Sequence, residues 1–228
     1  MKSKPIDLTK PSHLIAVLTG DLVASRKLGR DDVSAAMEQI SRTARYLGDM
    51  HDTETRFTRF RGDGWQITLA APGAALRAAL LIIADLKRAG HKTETRISVG
   101  IGHWQSLGSH DLSDASGTAF VLSGSQLDAM PRHARLEVAA EESTHGTAES
   151  RCQAAIFDLA AWIASRWSRP QAEAMAMALR GDWATQERLA VHLGITRQAV
   201  HARLSGAGYQ PIAKALAVLE GLDWGQKP

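Results

Sequence analysis

A Gly-Asp-Gly turn between two runs of alternating apolar and polar residues constrains this chain more than any other feature. Residues 57–69 read FTRFRGDGWQITL, and the two runs meet at Gly62, Asp63 and Gly64. Glycine beside aspartate tolerates the positive φ angles of a tight turn, so the segment predicts a β-hairpin with one carboxylate at its tip. An Asp-Gly pair alone usually indicates only a turn, so a functional site there requires a second group nearby.

A second carboxylate follows the first predicted strand. Residues 13–19 are an apolar run rich in Leu, Ile and Val, typical of a buried strand, and Gly20 and Asp21 come where it ends. If this strand and the hairpin are neighbours in one sheet, Asp21 and Asp63 converge. Carboxylates are preferred ligands of Mg²⁺ and Mn²⁺, which keep positions open for phosphate oxygens. We therefore interpret Asp21 and Asp63 as candidate ligands of Mg²⁺ or Mn²⁺.

The composition is that of a folded protein rather than a disordered one. Of the 228 residues, 44% are hydrophobic and 22% are charged, which suits one large domain or two small ones. The net charge of +3 is spread over 27 basic and 24 acidic residues, so it favours an anionic partner only weakly. Cys152 is the only cysteine, which excludes a disulfide within the chain and indicates a reducing compartment. No apolar run approaches the roughly 20 residues of a membrane span, so we expect a cytoplasmic protein without a membrane partner.

The order of the predicted elements indicates an α+β fold for the first part of the chain. Apolar residues that alternate predict strands, and apolar residues that recur every three or four positions predict helices. The predicted strands are residues 13–19, 53–60, 65–69, 93–104 and 131–139, and the predicted helices are residues 31–47, 74–88 and 117–130. Strand, helix, strand, strand, helix, strand is the ferredoxin-like order, with two helices on one face of an antiparallel sheet. Gly100 and Gly102 predict that another element approaches the fourth strand closely, and the polar residues 105–116 are a candidate binding loop.

These features resemble the catalytic palm shared by class III nucleotidyl cyclases, GGDEF-type diguanylate cyclases and the CRISPR polymerase palm. In that group, two metal-binding aspartates occupy the first strand and the central hairpin, the positions of Asp21 and Asp63 here. The glycine-rich run RISVGIGHW is similar to the cyclase strand after the second helix. The run Gly-Asp-x-x-x-Ser-Arg, from Gly20 to Arg26, is more similar still to the SatD family, small bacterial proteins that join a palm-like part to a helix-turn-helix. The resemblance covers residues 12–140 and implies a cyclase-like domain that binds a metal and a nucleotide.

A nucleotide bound in this way would place its phosphates on the segment that follows Asp21. Backbone amides from Leu22 to Ser25 and the charge of Arg26 are suitable donors to phosphate. The predicted nucleotide contacts are Leu22, Ser25, Arg26, Gly62 and Gly64. Two alternatives stay open: the Ser-Arg-Lys run is also typical of a solvated turn, and Trp65, a candidate for stacking on a base, is more often a core residue.

The chain departs from the active cyclases on the last predicted helix. Active class III cyclases carry an Asn and, four residues later, an Arg there, which orient the ribose and stabilise charge in the transition state. The corresponding residues here are Val121 and Ser125, which can do neither. Loss of one such donor costs about 100 to 1,000-fold in rate, so we expect nucleotide binding without efficient turnover. Residues that remain open as substitutes are Arg59, Arg61, Gln126, Arg132 and Arg135.

The rest of the chain has a helical pattern. Residues 141–150 are polar and aperiodic and predict a linker, and residues 151–228 predict an all-α domain. Within it, residues 183–209 resemble the helix-turn-helix units of bacterial transcription regulators. Thr185 and Thr196 are suited to cap two helices, and a glycine between them breaks the pattern. A helical hairpin used only for dimerisation or packing is the alternative.

The second helix of this unit would be the recognition helix of a DNA-binding domain. Arg and Gln suit the edges of guanine and adenine, and threonine hydroxyls suit phosphate. The predicted DNA contacts are Thr185, Thr196, Arg197, Gln198, His201 and Arg203. Residues 151–228 carry nine Lys or Arg and six Asp or Glu, a modest excess for DNA binding that a homodimer would double.

Three functions stay open from the sequence. The leading one is a DNA-binding transcription regulator whose degenerate cyclase-like domain binds a nucleotide with a divalent metal as a signal. The alternative is an active nucleotidyl cyclase or nucleotidyltransferase whose helix-turn-helix localises or dimerises it, and a scaffold that only dimerises is the third. A homodimer is expected for the first two, because cyclase-type sites and DNA half-sites commonly need two-fold pairing.

Overall fold

A five-stranded sheet is the centre of the first part of the chain. The computed structural model describes residues 14–51, 55–60, 62–91, 93–109, 111–141, 148–181, 185–222 and 224. The strands are β1 (Leu14–Leu22), β2 (Phe57–Arg59), β3 (Gly64–Leu69), β4 (Thr95–His103) and β5 (Leu136–Ala140). Their order is β2-β3-β1-β4-β5; β5 runs parallel to β4 and all other neighbours are antiparallel.

The helices fall into two groups along the chain. Between the strands lie α1 (Arg30–His51), α2 (Ala75–Arg88) and α3 (Thr118–Ala129). After the sheet come α4 (Ala148–Ser165), α5 (Arg169–Arg180), α6 (Gln186–Leu193), α7 (Arg197–Gly206) and α8 (Tyr209–Glu220). The predicted mixed α+β fold is confirmed.

Helices cover both faces of the sheet. Leu18 and Val99, on one face, belong to the buried cluster that includes α1 and α2. Ile15 and Val17, on the opposite face, pack with Phe120 of α3 in a second cluster. A strand covered on both sides is apolar throughout, which explains the unbroken apolar run of β1. The prediction placed two helices on one face of the sheet. The helices α1 and α2 lie there, and α3 covers the opposite face.

The backbones of α3 and β4 approach closely at Gly100. A Cβ atom at this position would lie 2.2 Å from the carbonyl oxygen of Ala119 and 2.6 Å from the amide nitrogen of Ser123. Only glycine fits this contact, so the predicted close approach at this strand is confirmed.

The helix α2 joins the sheet to the C-terminal helices. Eleven of its 14 residues are buried, because one side faces the sheet and the other faces α5. A helix that is apolar on all sides is expected where two layers enclose it. The apolar residues of the sheet, α2 and the C-terminal helices form one continuous core.

Polar side chains also connect the two parts of the chain. Arg77 of α2 donates from Nε to Oε1 of Glu220 at 2.6 Å, and Lys87 donates from Nζ to the carbonyl of Ser165 at 2.7 Å. Residues 142–147 of the predicted linker lie outside the described residues. The division at residues 141–150 therefore stays a prediction.

The two helices predicted around residues 183–209 are present, with the expected caps. Thr185 begins α6 and accepts from the amide of Arg188, and Thr196 begins α7 and accepts from the amide of Ala199. Gly194 ends α6 with a φ of 63°, as a left-handed C-cap requires. Among the described residues, no helix is long and apolar enough to span a membrane.

Candidate functional site

The fold brings Asp21 and Asp63 together at the end of two neighbouring strands. β1 and β3 pair so that Asp21 lies opposite Gly64, the residue after Asp63. The amide of Leu22 donates to the carbonyl of Asp63 at 3.2 Å. Gly62 adopts a φ of 77°, which a glycine permits without strain. The adjacency predicted for these two strands is therefore present.

Asp21 is paired with Arg96, which was not among the predicted site residues. On its other side, β1 pairs with β4 so that Asp21 lies opposite Arg96. Arg96 donates from Nε to Oδ1 of Asp21 at 2.9 Å and from Nη2 to Oδ2, so both carboxylate oxygens accept from one guanidinium. This hydrogen bonding is the main reason that the pKa of Arg96 is raised above its ordinary value.

Asp63 is held by the loop that follows β1. Ser25 donates from its hydroxyl to Oδ2 of Asp63. Ala24, just before it, has a φ of 55°, an uncommon left-handed conformation for a residue other than glycine. The chain then makes a 3-10 turn over Ser25–Lys27. The loop is thus folded back against the hairpin tip rather than extended into solvent.

The predicted cradle of amides from Leu22 to Ser25 is wrong for its first half. Leu22 donates to the Asp63 carbonyl and Val23 to the Glu94 carbonyl at 2.7 Å, so neither amide is available to a phosphate. The amides of Ala24, Ser25 and Arg26 donate to no other described residue. The predicted donors that remain usable are therefore the amides of Ala24 and Ser25, and the amide of Arg26 adds a third.

Two adjoining hollows surround the aspartates. They have volumes of about 730 and 630 Å³, within the range of small-molecule sites, and they share Asp21, Ser25, Arg26 and Asp63. The first also contains Leu28 and Val33 as an apolar wall. We call the two hollows together the groove. The cationic side chains that line it are Arg26, Lys27, Arg30, Arg59, Arg96 and Arg132.

The groove has a strong excess of positive charge. Among the described residues, six cationic side chains line it against two carboxylates, Asp21 and Asp63. Arg59 donates to the carbonyl of Gly62 at 2.9 and 3.1 Å. Within the described part of the chain, the side chains of Arg26 and Arg132 have no bonded partner. Such a surface attracts anions, and guanidinium groups pair well with phosphate.

The donor set does not fit the predicted Mg²⁺ or Mn²⁺ site. Both oxygens of Asp21 accept from Arg96, and one oxygen of Asp63 accepts from Ser25. Among the described residues, no group of three or more His, Cys, Asp or Glu side chains is arranged to hold a metal. The two aspartates come together as predicted, but a guanidinium takes the place beside Asp21 that the prediction gave to a metal.

Two of the five residues named as substitutes for the missing cyclase donors are engaged elsewhere. Val121 of α3 is 68% exposed, and Ser125 donates to the Val121 carbonyl at 2.7 Å. Gln126 donates to Glu137, and Arg135 donates to Glu94 and to two carbonyls. Of the other substitutes named above, Arg61 lies outside the described residues, while Arg59 and Arg132 line the groove.

Trp65 is a core residue and is not available to a base. Its side chain is fully buried, and its Nε1 donates to Oγ1 of Thr95 at 3.0 Å. Its ring packs against Gly20, where a Cβ atom would lie 2.4 Å from the ring. The glycine before Asp21 is therefore required by the packing of Trp65.

The exposed face of α7 includes some, but not all, of the predicted DNA contacts. Arg197, Gln198 and His201 are exposed. Arg203 is only 25% exposed and donates to Glu173 of α5 at 3.0 Å, so its guanidinium is engaged within the protein and its predicted contact with DNA stays a prediction. A contact with a neighbouring helix was not visible in the sequence pattern. Thr185 and Thr196 use their hydroxyls as helix caps.

Comparison with known proteins gives similarity only to solved structures. No family model and no curated protein matches the chain. A bacterial light-regulated adenylyl cyclase is 20% identical, with a TM-score of 0.42 over 55% of this chain and 75% of that chain. The guanylyl cyclase domain of the RhoGC fusion protein from the aquatic fungus Blastocladiella emersonii is 16% identical, with a TM-score of 0.44 over 60% and 84%. An adenylate/guanylate cyclase/hydrolase from Silicibacter pomeroyi is 20% identical, with a TM-score of 0.41 over 61% and 81%.

Proposed function

We propose that this protein is a DNA-binding transcription regulator that binds a nucleotide in the groove. The observation that supports this most is the excess of cationic side chains around Asp21 and Asp63. Phosphate groups suit such a lining, because arginine pairs with them through two parallel hydrogen bonds. The apolar wall of Leu28 and Val33 offers a surface for a ring that follows the phosphates. We propose a cytoplasmic location, because DNA and a free nucleotide would both be met there.

Binding without turnover is the form of the proposal that the residues favour. The α3 positions that an active cyclase needs are occupied by Val121 and Ser125, and the Ser125 hydroxyl is bonded to its own helix. Asp21 has both oxygens bonded to Arg96. A nucleotide in this groove therefore meets donors that bind phosphate, while the described helix α3 lacks the Asn and Arg of an active cyclase.

DNA binding is proposed for the exposed face of α7. Arg197 and Gln198 lie in its first turn, where a recognition helix contacts base edges. Arg197 bonds Glu187 at 2.8 Å, but both side chains are more than half exposed, so solvent screens this pair and DNA can compete for the guanidinium. We propose a homodimer, which would present two such helices to two half-sites.

The nucleotide part of the proposal is tested by calorimetric titration with ATP, GTP and their cyclic forms. We expect Arg26→Gln to weaken binding by about tenfold or more, because it removes one charge-assisted contact. Arg45→Gln is the matched control, since Arg45 is exposed on α1 outside the groove. Equal affinities of the wild type and Arg26→Gln would contradict the proposal, and release of a cyclic product would favour an enzyme.

The DNA part is tested by selection from a pool of random duplexes followed by gel-shift titration of the enriched sequence. We expect Arg197→Ala to cost about 1 to 3 kcal/mol of binding free energy if it contacts a base. Arg151→Ala on α4 removes an exposed charge elsewhere and serves as the control. Failure of the wild type to enrich any sequence, with or without nucleotide, would contradict this half of the proposal.

A further inference from the structure

Strand register, rather than a chance surface contact, places Arg96 beside Asp21. The two residues lie directly opposite each other in the antiparallel pair of β1 and β4, so their side chains leave the sheet on the same face. Thr95 adds a hydrogen bond from its hydroxyl to the carbonyl of Asp21 at 2.8 Å. The backbone on both sides of the ion pair is therefore fixed.

The pair is also partly removed from solvent. The side chains of Arg96 and Asp21 are 24% and 28% exposed, and the fork of the guanidinium meets the two carboxylate oxygens together. Two parallel charge-assisted bonds of this kind are shorter and stronger than a single contact. Hydrogen bonding to Asp21 also raises the pKa of Arg96, so the guanidinium stays charged at every physiological pH.

A divalent ion and this guanidinium compete for the same two oxygens. Mg²⁺ binds through direct carboxylate contacts and usually takes one or two carboxylates together with phosphate oxygens. With Asp21 engaged, Asp63 is the one carboxylate left among the described residues that line the groove, and one of its oxygens already accepts from Ser25. The other charged side chains in this described lining are cationic and repel a metal ion.

We infer that the Arg96 guanidinium takes the place of a divalent metal beside Asp21, and that the anionic ligand of the groove binds without such a metal. Arg96 neutralises Asp21 and holds it in place, while Arg26, Arg30 and Arg132 remain for the phosphates. The identity of the ligand rests on the function proposed above, but the exclusion of metal does not. Arg96 is accordingly a positioning residue that decides which cation the site uses.

The exclusion of metal is tested by titrating the protein with Mn²⁺ alone and following free Mn²⁺ by electron paramagnetic resonance. For the wild type we expect no binding tighter than about 1 mM. Arg96→Gln leaves Asp21 unpaired beside Asp63, so we expect a Mn²⁺ site at least about tenfold tighter than in the wild type. Arg132→Gln is the matched control: it removes a repelling charge from the same hollow without freeing a carboxylate, so its gain in Mn²⁺ affinity should be smaller than that of Arg96→Gln.

A second titration uses ATP in the presence of either EDTA or Mg²⁺. We expect the wild-type affinities to agree within about twofold, and Arg96→Gln to bind more tightly with Mg²⁺ than with EDTA. Sub-millimolar Mn²⁺ binding by the wild type, or loss of its ATP binding in EDTA, would overturn the inference. Both measurements use the wild type, so they decide it even if the variant fails to fold. If ATP binds neither in EDTA nor in Mg²⁺, ATP is not the ligand of the proposed function. The Mn²⁺ titration would still decide the role of Arg96.

Discussion

The buried carboxylate of Asp85 provides a sharp test of how the two parts of the chain are held together. Asp85 lies on α2 and is fully buried. It accepts from the hydroxyl of Thr43 on α1 at 2.6 Å, from Nε of Arg88 at 2.7 Å and from Nη2 of Arg180 on α5 at 2.7 Å. One side chain thus bonds three helices that come from both parts of the chain.

Replacing Asp85 leaves its arginines without their partner. Removing one member of a buried ion pair costs about 3 to 5 kcal/mol of unfolding free energy. Arg180 is only 15% exposed and suffers most of this loss, whereas Arg88 is 35% exposed and regains some hydration. We therefore expect Asp85→Ala to lower the unfolding free energy by about 3 kcal/mol. Asp85→Asn, which keeps an acceptor oxygen, should lower it by about 2 kcal/mol.

Urea unfolding followed by circular dichroism measures these changes, with the slope of the transition checked for each variant. Glu38→Gln is the control, because Glu38 and Arg42 form an exposed pair at 3.6 Å that contributes less than about 0.5 kcal/mol. A loss below about 1 kcal/mol for Asp85→Ala would refute the reasoning. The wild type should unfold in one transition, since α2 belongs to a core shared by both parts.

Three further predictions follow from single contacts. Gly100→Ala should prevent folding or lower stability by at least about 2 kcal/mol in the same urea assay, because its Cβ would meet the carbonyl of Ala119 at 2.2 Å. Thr196→Ala removes the cap of α7 and should cost about 1 kcal/mol, while Thr196→Ser should restore it. Burial acts to raise the pKa of Glu141, but hydrogen bonds from the amide and ring of His103 outweigh it and hold that pKa below 4.5. The contribution of ionised Glu141 to the free energy of unfolding is fully present above its ordinary pKa of 4.5 and is lost as the pH falls through its lower native pKa. Glu141→Gln removes this contribution, so it should flatten the dependence of Tm on acidic pH.

Local chemistry made part of this molecule predictable from sequence. The caps at Thr185 and Thr196 and the turn at Gly62 depend on neighbours within a few residues, so residue type and spacing were sufficient. The meeting of Asp21 and Asp63 also followed, because the element order restricts which strands can be adjacent.

Long-range pairing made the rest unpredictable. The alternation in β4 shows which of its residues share a face, but not which of them lies opposite Asp21. A shift of one residue in register would turn Arg96 to the other face, and nothing local fixes that register across 75 residues. The bond between Arg203 and Glu173 was unpredictable for a related reason: the position of Arg203 in its helix allowed exposure, and only the packing of α5 against α7 brings it to Glu173.

Bonds between helices lead from the groove to α7, and this arrangement has a thermodynamic consequence for the proposed regulator. The helix α1 lines the groove at its first turn and bonds Asp85 through Thr43. Asp85 holds α5 through Arg180, and α5 holds Arg203 of α7 through Glu173.

Contacts of this kind do not by themselves couple two sites; the nucleotide and the DNA must each favour one of two arrangements of these helices. If they do, linkage requires the specific DNA to change the nucleotide affinity by the same factor by which the nucleotide changes the DNA affinity. Measuring the nucleotide affinity with and without the specific DNA, and the DNA affinity with and without the nucleotide, therefore distinguishes a regulator from a protein whose two sites are uncoupled.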